Sequence, residues 1–305
     1  MERTRVVVEE VGLREGLQSH AVLLSLERKI ELVELFLAAG LRHIQLGSFV
    51  NPKKVPQMAG VEDLFRHYRD RQDAVFSALV LNRRGFDRAL DCGVRALHVS
   101  LSASATHQRE NAGRSIVESL TELCAVVREA RQAGMRVKGG VQAAFGCYLE
   151  GPVAADQVIR IASALAEAGA AEVNLADTAG FARPGEIQEV IGAVRKALPA
   201  VKLSLHLHNT LGMAPASVTA ALNLGVTRFD GAAAGLGGCP FMQGAEGNIA
   251  TEDLVFLLQS LGLARDLDIA RLCVAAARAR ELFGAAGGGK LGAHFPRLAA
   301  LGLVR

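Results

Sequence analysis

Residues 154–175 read AADQVIRIASALAEAGAAEVNL, and this stretch contains the unit from which the fold is built. Residues 154–168 form an amphipathic stretch that predicts a helix. Gly169 follows the predicted helix, and a glycine there adopts the left-handed conformation that turns the chain toward the next element. Residues 172–175 then predict a short strand. The stretch therefore predicts a helix, a glycine turn and a strand in succession.

The same unit recurs along the chain. A helix-ending glycine precedes a predicted strand at Ala39-Gly40-Leu41, Cys92-Gly93-Val94, Ala133-Gly134-Met135 and Leu224-Gly225-Val226. The predicted strands are 6–10, 43–47, 74–79, 96–100, 136–142, 172–175, 202–206 and 228–231. The predicted helices between them include 26–39, 115–133 and 184–197.

Eight strand-plus-helix units predict parallel strands joined by right-handed crossovers, and therefore an α/β fold with a closed (β/α)8 TIM barrel. The alternative is an open, doubly wound sheet. Even spacing of the units and the lack of a GxGxxG pattern after the first strand favour the barrel. Residues 1–262 are expected to form the barrel, and residues 263–305 a helical C-terminal extension of the same domain, with a helix over 266–283.

Composition and charge limit the possible functions. The net charge of +3 comes without a Lys/Arg block, which argues against nucleic acid as a partner and suits an anionic small substrate. No stretch approaches the roughly 20 apolar residues of a membrane helix, so no membrane partner is expected. Cysteines are scattered without a CxxC pair and predict reduced thiols in a cytoplasmic protein: Cys92, Cys124, Cys147, Cys239 and Cys273.

The strongest candidate for chemistry is Leu205-His206-Leu207-His208 at the end of the seventh predicted strand. Residues i and i+2 of a strand face the same side, so both imidazoles point into the barrel. Active sites of such barrels lie at the carboxyl ends of the strands. Two converging imidazoles are natural metal ligands. The alternative is a pair of hydrogen-bonded core histidines.

Two further segments can complete such a site. The motif that follows the first strand places Arg14, Glu15 and Gln18 at the barrel mouth, where a carboxylate can join the histidines and a guanidinium can stabilise an oxyanion. A surface ion pair is the alternative for Arg14 and Glu15. Asn248 precedes a predicted helix, where it can either cap the helix or donate its amide oxygen to a metal.

The loop Gly235-Leu236-Gly237-Gly238-Cys239-Pro240 follows the eighth strand. Three glycines around one cysteine can form a loop that carries a thiol over the site. A glycine-rich turn with an inert thiol is the alternative.

Together these segments resemble the 3-hydroxy-3-methylglutaryl-CoA lyase family, within a wider group of metallolyase barrels that includes isopropylmalate and homocitrate synthases. The resemblance covers about residues 8–258. It rests on Gly12-Leu13-Arg14-Glu15-Gly16-Leu17-Gln18, Ser48-Phe49-Val50-Asn51-Pro52-Lys53-Lys54-Val55-Pro56-Gln57-Met58, Ala143-Ala144-Phe145-Gly146-Cys147, Ala234-Gly235-Leu236-Gly237-Gly238-Cys239-Pro240-Phe241 and Gly247-Asn248-Ile249-Ala250-Thr251-Glu252-Asp253.

The resemblance implies a role for each matching residue. The metal ligands would be Glu15, His206, His208 and Asn248. Arg14 would stabilise an enolate, His206 or a neighbouring base would take a proton, and Cys239 would act as a mobile acid or base. The residues near the substrate would be Gln18, Gln45, Ser48, Lys53, His107 and Asp177. Mixed nitrogen and oxygen ligands favour Mg²⁺ or Mn²⁺ over Zn²⁺. An acyl-CoA substrate and a homodimer are expected.

Four positions depart from the lyase pattern. Glu15 and Gln45 stand where the lyase has Asp and Glu, Asn209 replaces an Asp, and His107 ends a Ser104-Ala105-Thr106-His107 stretch that replaces a Ser-Glu-Ala-Phe-like one. These changes predict cleavage of a 3-hydroxyacyl-CoA whose acyl group differs from that of the parent thioester. The alternatives are a Claisen-condensing synthase and a non-catalytic barrel protein.

Overall fold

A computed structural model describes residues 5–238, 247–285 and 288–304 of the chain. Eight parallel strands form a closed barrel in sequence order, with the first strand paired to both the second and the eighth. The strands are β1 (Val7–Glu10), β2 (His43–Ser48), β3 (Val75–Val80), β4 (Ala96–Ser102), β5 (Arg136–Gln142), β6 (Glu172–Asp177), β7 (Lys202–Leu207) and β8 (Arg228–Gly231). The predicted barrel is confirmed, and the predicted strands agree with these bounds within two residues.

Helices cover the outside of the barrel. They are α1 (Leu26–Ala38), α2 (Val61–His67), α3 (Arg83–Asp91), α4 (Ala105–Ala112), α5 (Ile116–Gln132), α6 (Ala155–Glu167), α7 (Pro184–Ala197), α8 (Ala214–Asn223), α9 (Thr251–Ser260), α10 (Ile269–Phe283) and α11 (Lys290–Ala300). The tail helix α10 begins three residues after its predicted start, because Asp268 caps it by accepting a hydrogen bond from the Arg271 backbone. None of the described helices is long and apolar enough to cross a membrane.

The unit at residues 154–175 forms as predicted. Helix α6 buries one stripe at helical spacing, made of Val158, Ile161, Ala162 and Leu165. Gly169 has a φ of +113°, which an L side chain rarely adopts, and the Ala170 N–H donates to the Leu165 carbonyl at 3.0 Å. The chain therefore turns sharply from α6 into β6.

The apolar core lies between the barrel and its helices. On β7, Leu203 and Leu205 belong to this core, whereas the alternate residues Ser204 and His206 are buried polar groups. The alternation follows from the two-residue repeat of a strand. The barrel interior therefore holds polar side chains, which places chemistry-bearing groups on a rigid frame.

The C-terminal helices pack on the barrel helices. Helix α10 contacts α1 and α9, and Arg278 of α10 forms an ion pair with Glu31 of α1. Asp253 in the first turn of α9 accepts hydrogen bonds from the backbone of Lys290 and Leu291, which begin α11. Both elements of the extension are therefore fixed to neighbours in the barrel.

Candidate active site

A cavity of about 730 Å³ opens at the carboxyl ends of the strands. Its inner wall includes side chains from β4, β6 and β7 and from the turn that follows β1. The residues on that wall are Arg14, Glu15, His98, Ser100, Asn174, His206 and His208. This is the end at which barrel enzymes carry their active sites.

Three buried side chains converge on one point of this cavity. Glu15, His206 and His208 each offer one ligand atom, and these atoms lie within 4.8 Å of one another. His208 Nε2 is 3.8 Å from Glu15 Oε1, and the two imidazole centroids are 5.2 Å apart. The spacing is that of ligands around a shared cation. The structure thus brings together three of the four predicted metal ligands.

Asn248, the fourth predicted ligand, lies beside this cluster. The backbone of Asn248 forms an isolated antiparallel β-bridge with His208, and the Asn248 Nδ2 donates a hydrogen bond to the Leu236 carbonyl at 2.7 Å. A Cβ on Gly237 would overlap Asn248 Nδ2 and would lie 3.3 Å from Glu15 Cγ. Because Gly237 has no side chain, the Asn248 amide and the Glu15 side chain can both approach this position.

Two buried polar atoms of the cluster are unsatisfied. Asn248 Oδ1 and His208 Nδ1 have no hydrogen-bond partner among the described residues. A buried acceptor without a partner is costly. Asn248 Oδ1 is such an acceptor and lies beside the Glu15, His206 and His208 cluster, where a divalent cation would satisfy it, so the residues present fit a metal site.

The tautomer of His206 is set by a carboxylate. Its Nδ1 lies 3.3 Å from Asp230 Oδ2, and because a carboxylate only accepts, the ring donates from Nδ1 and keeps a lone pair on Nε2. Burial lowers the pKa of His206, against the opposing effect of Asp230. Burial also lowers the pKa of His208, well below its usual range, with help from His206 and Arg14. Both imidazoles are therefore neutral and able to bind a metal.

Asp230 is itself part of a buried ionic network. Lys138 Nζ donates to Asp230 Oδ1 at 3.1 Å and to Glu9 Oε2 at 2.5 Å. Burial raises the pKa of Asp230, but Lys138 and His206 outweigh it and hold that pKa below the usual range. A permanent negative charge thus stands behind His206.

Arg14 lies on the cavity wall beside Glu15, with which it forms an ion pair. Its Nε donates to Gln45 Oε1, and Gln45 Nε2 donates to His98 Nδ1 at 3.2 Å. Burial lowers the pKa of Arg14 to about 10, so its side chain remains a cation at neutral pH. The chain from His98 through Gln45 fixes the orientation of the guanidinium.

Of the other predicted site residues, some line the cavity and some do not. Gln18 and His107 line the cavity. Gln45 and Ser48 are fully buried in β2 and do not line it, and Lys53 is exposed while its neighbour Lys54 lines the cavity mouth. Cys239 lies outside the described residues.

Asp177 is turned toward the backbone at the end of β6. Its carboxylate accepts hydrogen bonds from the N–H groups of Gly180, Phe181 and Ala182 at 3.0, 3.2 and 2.9 Å. It shapes the loop after β6 and is absent from the cavity lining.

Several site residues were not predicted from the sequence. His98 and Asn174 reach the cavity from strand interiors, and Lys138 and Asp230 lie beneath it. Polar residues at alternate positions of an otherwise apolar strand were the signal that could have found His98 and Asn174.

Cations surround the mouth of the cavity. Lys54 and Arg84 line it, are exposed, and form no ion pair with any described residue. Arg114 also lines the mouth, where it pairs with Glu122. The entrance therefore carries positive charge suited to an anionic ligand.

A closed (β/α)8 barrel with a buried Glu/His/His cluster beside a buried arginine defines the class of barrel enzymes that can hold a divalent metal at the carboxyl ends of their strands. The HMGL-like family model matches residues 5–278 of this chain. The chain therefore belongs to the HMGL-like family.

Similar proteins agree with this placement. The chain is 40% identical to hydroxymethylglutaryl-CoA lyase of Pseudomonas mevalonii, over 94% of this chain and 95% of that protein. It is 39% identical to the 3-hydroxy-3-isohexenylglutaryl-CoA/hydroxymethylglutaryl-CoA lyase of Pseudomonas aeruginosa, with the same coverage of 94% and 95%. A solved HMG-CoA lyase from Acinetobacter baumannii, in complex with coenzyme A and 3-methylmalate, superposes with a TM-score of 0.90 at 32% identity, covering 96% of each chain. The protein is a lyase.

Proposed function

We propose that the protein cleaves the C2–C3 bond of a 3-hydroxyacyl-CoA, either 3-hydroxy-3-methylglutaryl-CoA or a close relative. The observation that carries this proposal is the buried Glu15/His206/His208 cluster beside Arg14 at the floor of one cavity. With 3-hydroxy-3-methylglutaryl-CoA as substrate, the products are acetyl-CoA and acetoacetate. The names of the relatives, which are lyases of such thioesters, support this substrate class.

The four ligands favour Mg²⁺ or Mn²⁺. Glu15, His206, His208 and Asn248 would supply two nitrogens and two oxygens, a set that leaves room for substrate oxygens in six-coordinate geometry. A bound divalent cation would supply Lewis acidity toward the substrate oxygens. Zn²⁺ is less suited because it prefers four ligands.

Arg14 would stabilise the enolate formed when the bond breaks. Its guanidinium lines the cavity and is held by Gln45 from behind, so it meets the developing charge without having to reorganise. The Gln45 amide replaces the acid expected for the lyase pattern. Gln45 therefore orients Arg14 through a neutral hydrogen bond. Unlike an acid at that position, it adds no negative charge beside the guanidinium.

The two roles predicted for His206 compete. Its tautomer presents the Nε2 lone pair, which supports metal binding directly. Accepting the substrate hydroxyl proton would use the same lone pair, so the role of His206 as a base stays a prediction. Cys239 as the proton donor to carbon stays a prediction as well.

The cavity mouth fits the coenzyme. Coenzyme A carries phosphates, and Lys54 and Arg84 are exposed cations free to meet them. We propose that the thioester reaches the floor from this side while His107 and Gln18 line the path of the acyl group.

The substrate is tested by incubating purified protein and Mn²⁺ with a panel of 3-hydroxyacyl-CoA thioesters and detecting products by mass. We expect 3-hydroxy-3-methylglutaryl-CoA to be cleaved less efficiently than a related thioester that carries a different acyl group. A kcat/KM for the parent of about 10⁴ M⁻¹s⁻¹ or above, exceeding that of every relative, would contradict this expectation. No acyl-CoA product from any member would contradict the function itself.

We also propose that residues 263–305 belong to the barrel domain, because α10 and α11 are fixed to α1 and α9. A cytoplasmic location and a homodimer stay predictions. Light scattering of the purified protein tests the second.

A further inference from the structure

Two of the residues proposed to hold the metal, Glu15 and Asn248, lie in separate loops. Glu15 lies in the helical turn Gly12–Gly16 after β1, and Asn248 lies in the segment that precedes α9. Gly237, whose missing side chain leaves room for both, follows β8. The separation between the carboxylate and the amide therefore depends on contacts that join these three loops.

One buried carboxylate makes contacts with all three loops. Glu10, the last residue of β1, is 0% exposed. Its Oε1 accepts hydrogen bonds from the Gly12 N–H at 2.7 Å and the Ala233 N–H at 3.0 Å, and its Oε2 accepts from Thr251 Oγ1 at 2.6 Å. Gly12 begins the turn with Glu15, Ala233 begins the loop with Gly237, and Thr251 begins α9 just after Asn248.

The chain makes room for this carboxylate with two glycines. A Cβ on Gly12 would lie 2.7 Å from Glu10 Oε1, and a Cβ on Gly231 would lie 2.9 Å from Thr251 Oγ1. Contacts that short would push the carboxylate or the hydroxyl away. Both glycines are therefore required by the three-way junction.

The loop after β8 needs such support. Ala234 has a φ of +58°, a left-handed conformation that is unfavourable for an L-residue. Its N–H donates to Glu252 Oε2 at 3.1 Å, and the preceding N–H donates to Glu10. Two buried acids thus fix consecutive residues of a strained turn that leads directly to Gly237.

From this junction we propose that Glu10 is a positioning residue of the metal site, whose carboxylate holds the Glu15 turn and the Asn248 segment at the separation that a divalent cation requires. This inference rests on the proposed function, since it assumes that the four ligands bind one metal. Glu10 touches neither substrate nor metal and acts through the loops.

The test measures Mn²⁺ affinity by calorimetry, with Mn²⁺ as the only ligand, for wild type, Glu10→Gln and Glu172→Gln. The amide of Glu10→Gln keeps the shape but cannot accept from all three donors. We expect Mn²⁺ to bind about 10- to 100-fold more weakly, as when supporting partners of metal ligands are lost. We also expect saturating Mn²⁺ to restore kcat. Glu172→Gln removes a partly buried acid that pairs with Arg228 at the other end of the barrel, and should leave Mn²⁺ affinity unchanged.

Thr251→Val provides a milder second variant, in case Glu10→Gln does not fold. It deletes one of the three donors, and several-fold weaker Mn²⁺ binding is expected. If Glu10→Gln folds and binds Mn²⁺ as tightly as wild type, the inference is overturned and the proposed function stays intact. If Glu10→Gln does not fold, unchanged Mn²⁺ affinity in Thr251→Val overturns the inference in the same way. Failure of wild type to bind Mn²⁺ would instead overturn the metal site itself, so the two failures are distinguishable.

Discussion

Replacing Asp230 with Asn tests how the barrel interior controls the metal site. The carboxylate accepts from His206 Nδ1 and from Lys138 Nζ. An Asn side chain has the same shape, but it has one acceptor oxygen and a donating amide. With that amide facing His206, the ring proton moves to Nε2 and the lone pair that faces the ligand cluster is lost.

The expected magnitude follows from these contacts. Loss of a partner that orients a metal-binding histidine lowers metal affinity or activity about 10- to 100-fold. The variant also loses a charged hydrogen bond to Lys138, which contributes about 1.5–3 kcal/mol to stability. Asp230→Asn should therefore bind Mn²⁺ at least about tenfold more weakly and should melt at a lower temperature.

Glu9→Gln is the matched control. Glu9 accepts from the same Lys138 and from Ser77, whereas the ring of His206 is held by Asp230. The Glu9→Gln variant therefore removes a charge from the same network without changing the tautomer. Calorimetry with Mn²⁺ and thermal melts followed by circular dichroism provide the two readouts. We expect similar losses of stability but weaker Mn²⁺ binding only in Asp230→Asn. Equal Mn²⁺ affinities in the two variants would refute the reasoning.

Three further predictions follow from individual side chains. Arg14→Gln should lower kcat about 100-fold or more, as for a lost oxyanion donor, and a change confined to KM would contradict this. Gly237→Ala should weaken Mn²⁺ binding because its Cβ would overlap Asn248 Nδ2. Gly134→Ala is the control, since Gly134 also has a positive φ of +80° but a Cβ there would meet no atom within 4 Å, so this variant should carry only the backbone strain. Calorimetry with Mn²⁺ compares the two variants. Burial raises the pKa of Glu252 to about 8, so the folded protein holds a proton that the unfolded chain releases above about pH 4.5, and this acid weakens folding as pH rises. Glu252→Gln should therefore raise Tm more at about pH 8.5 than at about pH 5.5, and equal shifts would exclude this account.

Local patterns in the sequence predicted the elements that depend on local structure. The glycine at helix ends and the strand repeat predicted the barrel. The i, i+2 spacing of His206 and His208 predicted that both rings face its interior. Each of these patterns involves residues that are close together in the chain, so each can be recognised in a single sequence.

The rest of the site depends on contacts between distant residues. Lys138 forms hydrogen bonds with Glu9 and Asp230, which are 129 and 92 positions away in the chain. A periodic sequence pattern does not predict contacts between residues so far apart. Ser48 faces the protein interior, and Asp177 turns to the backbone of its own loop. A motif thus predicted which segments meet at the site, while the direction of each side chain came from packing.

The most direct test of the account is Mn²⁺ binding to His206→Ala and His208→Ala. Each variant removes one imidazole from a cluster whose ligand atoms lie within 4.8 Å, so three of the four proposed ligands remain. We expect both proteins to keep the far-ultraviolet circular dichroism of wild type and to lose most bound Mn²⁺ and most lyase activity. Full Mn²⁺ occupancy in both variants would show that the metal does not bind at this cluster, and would contradict the central claim.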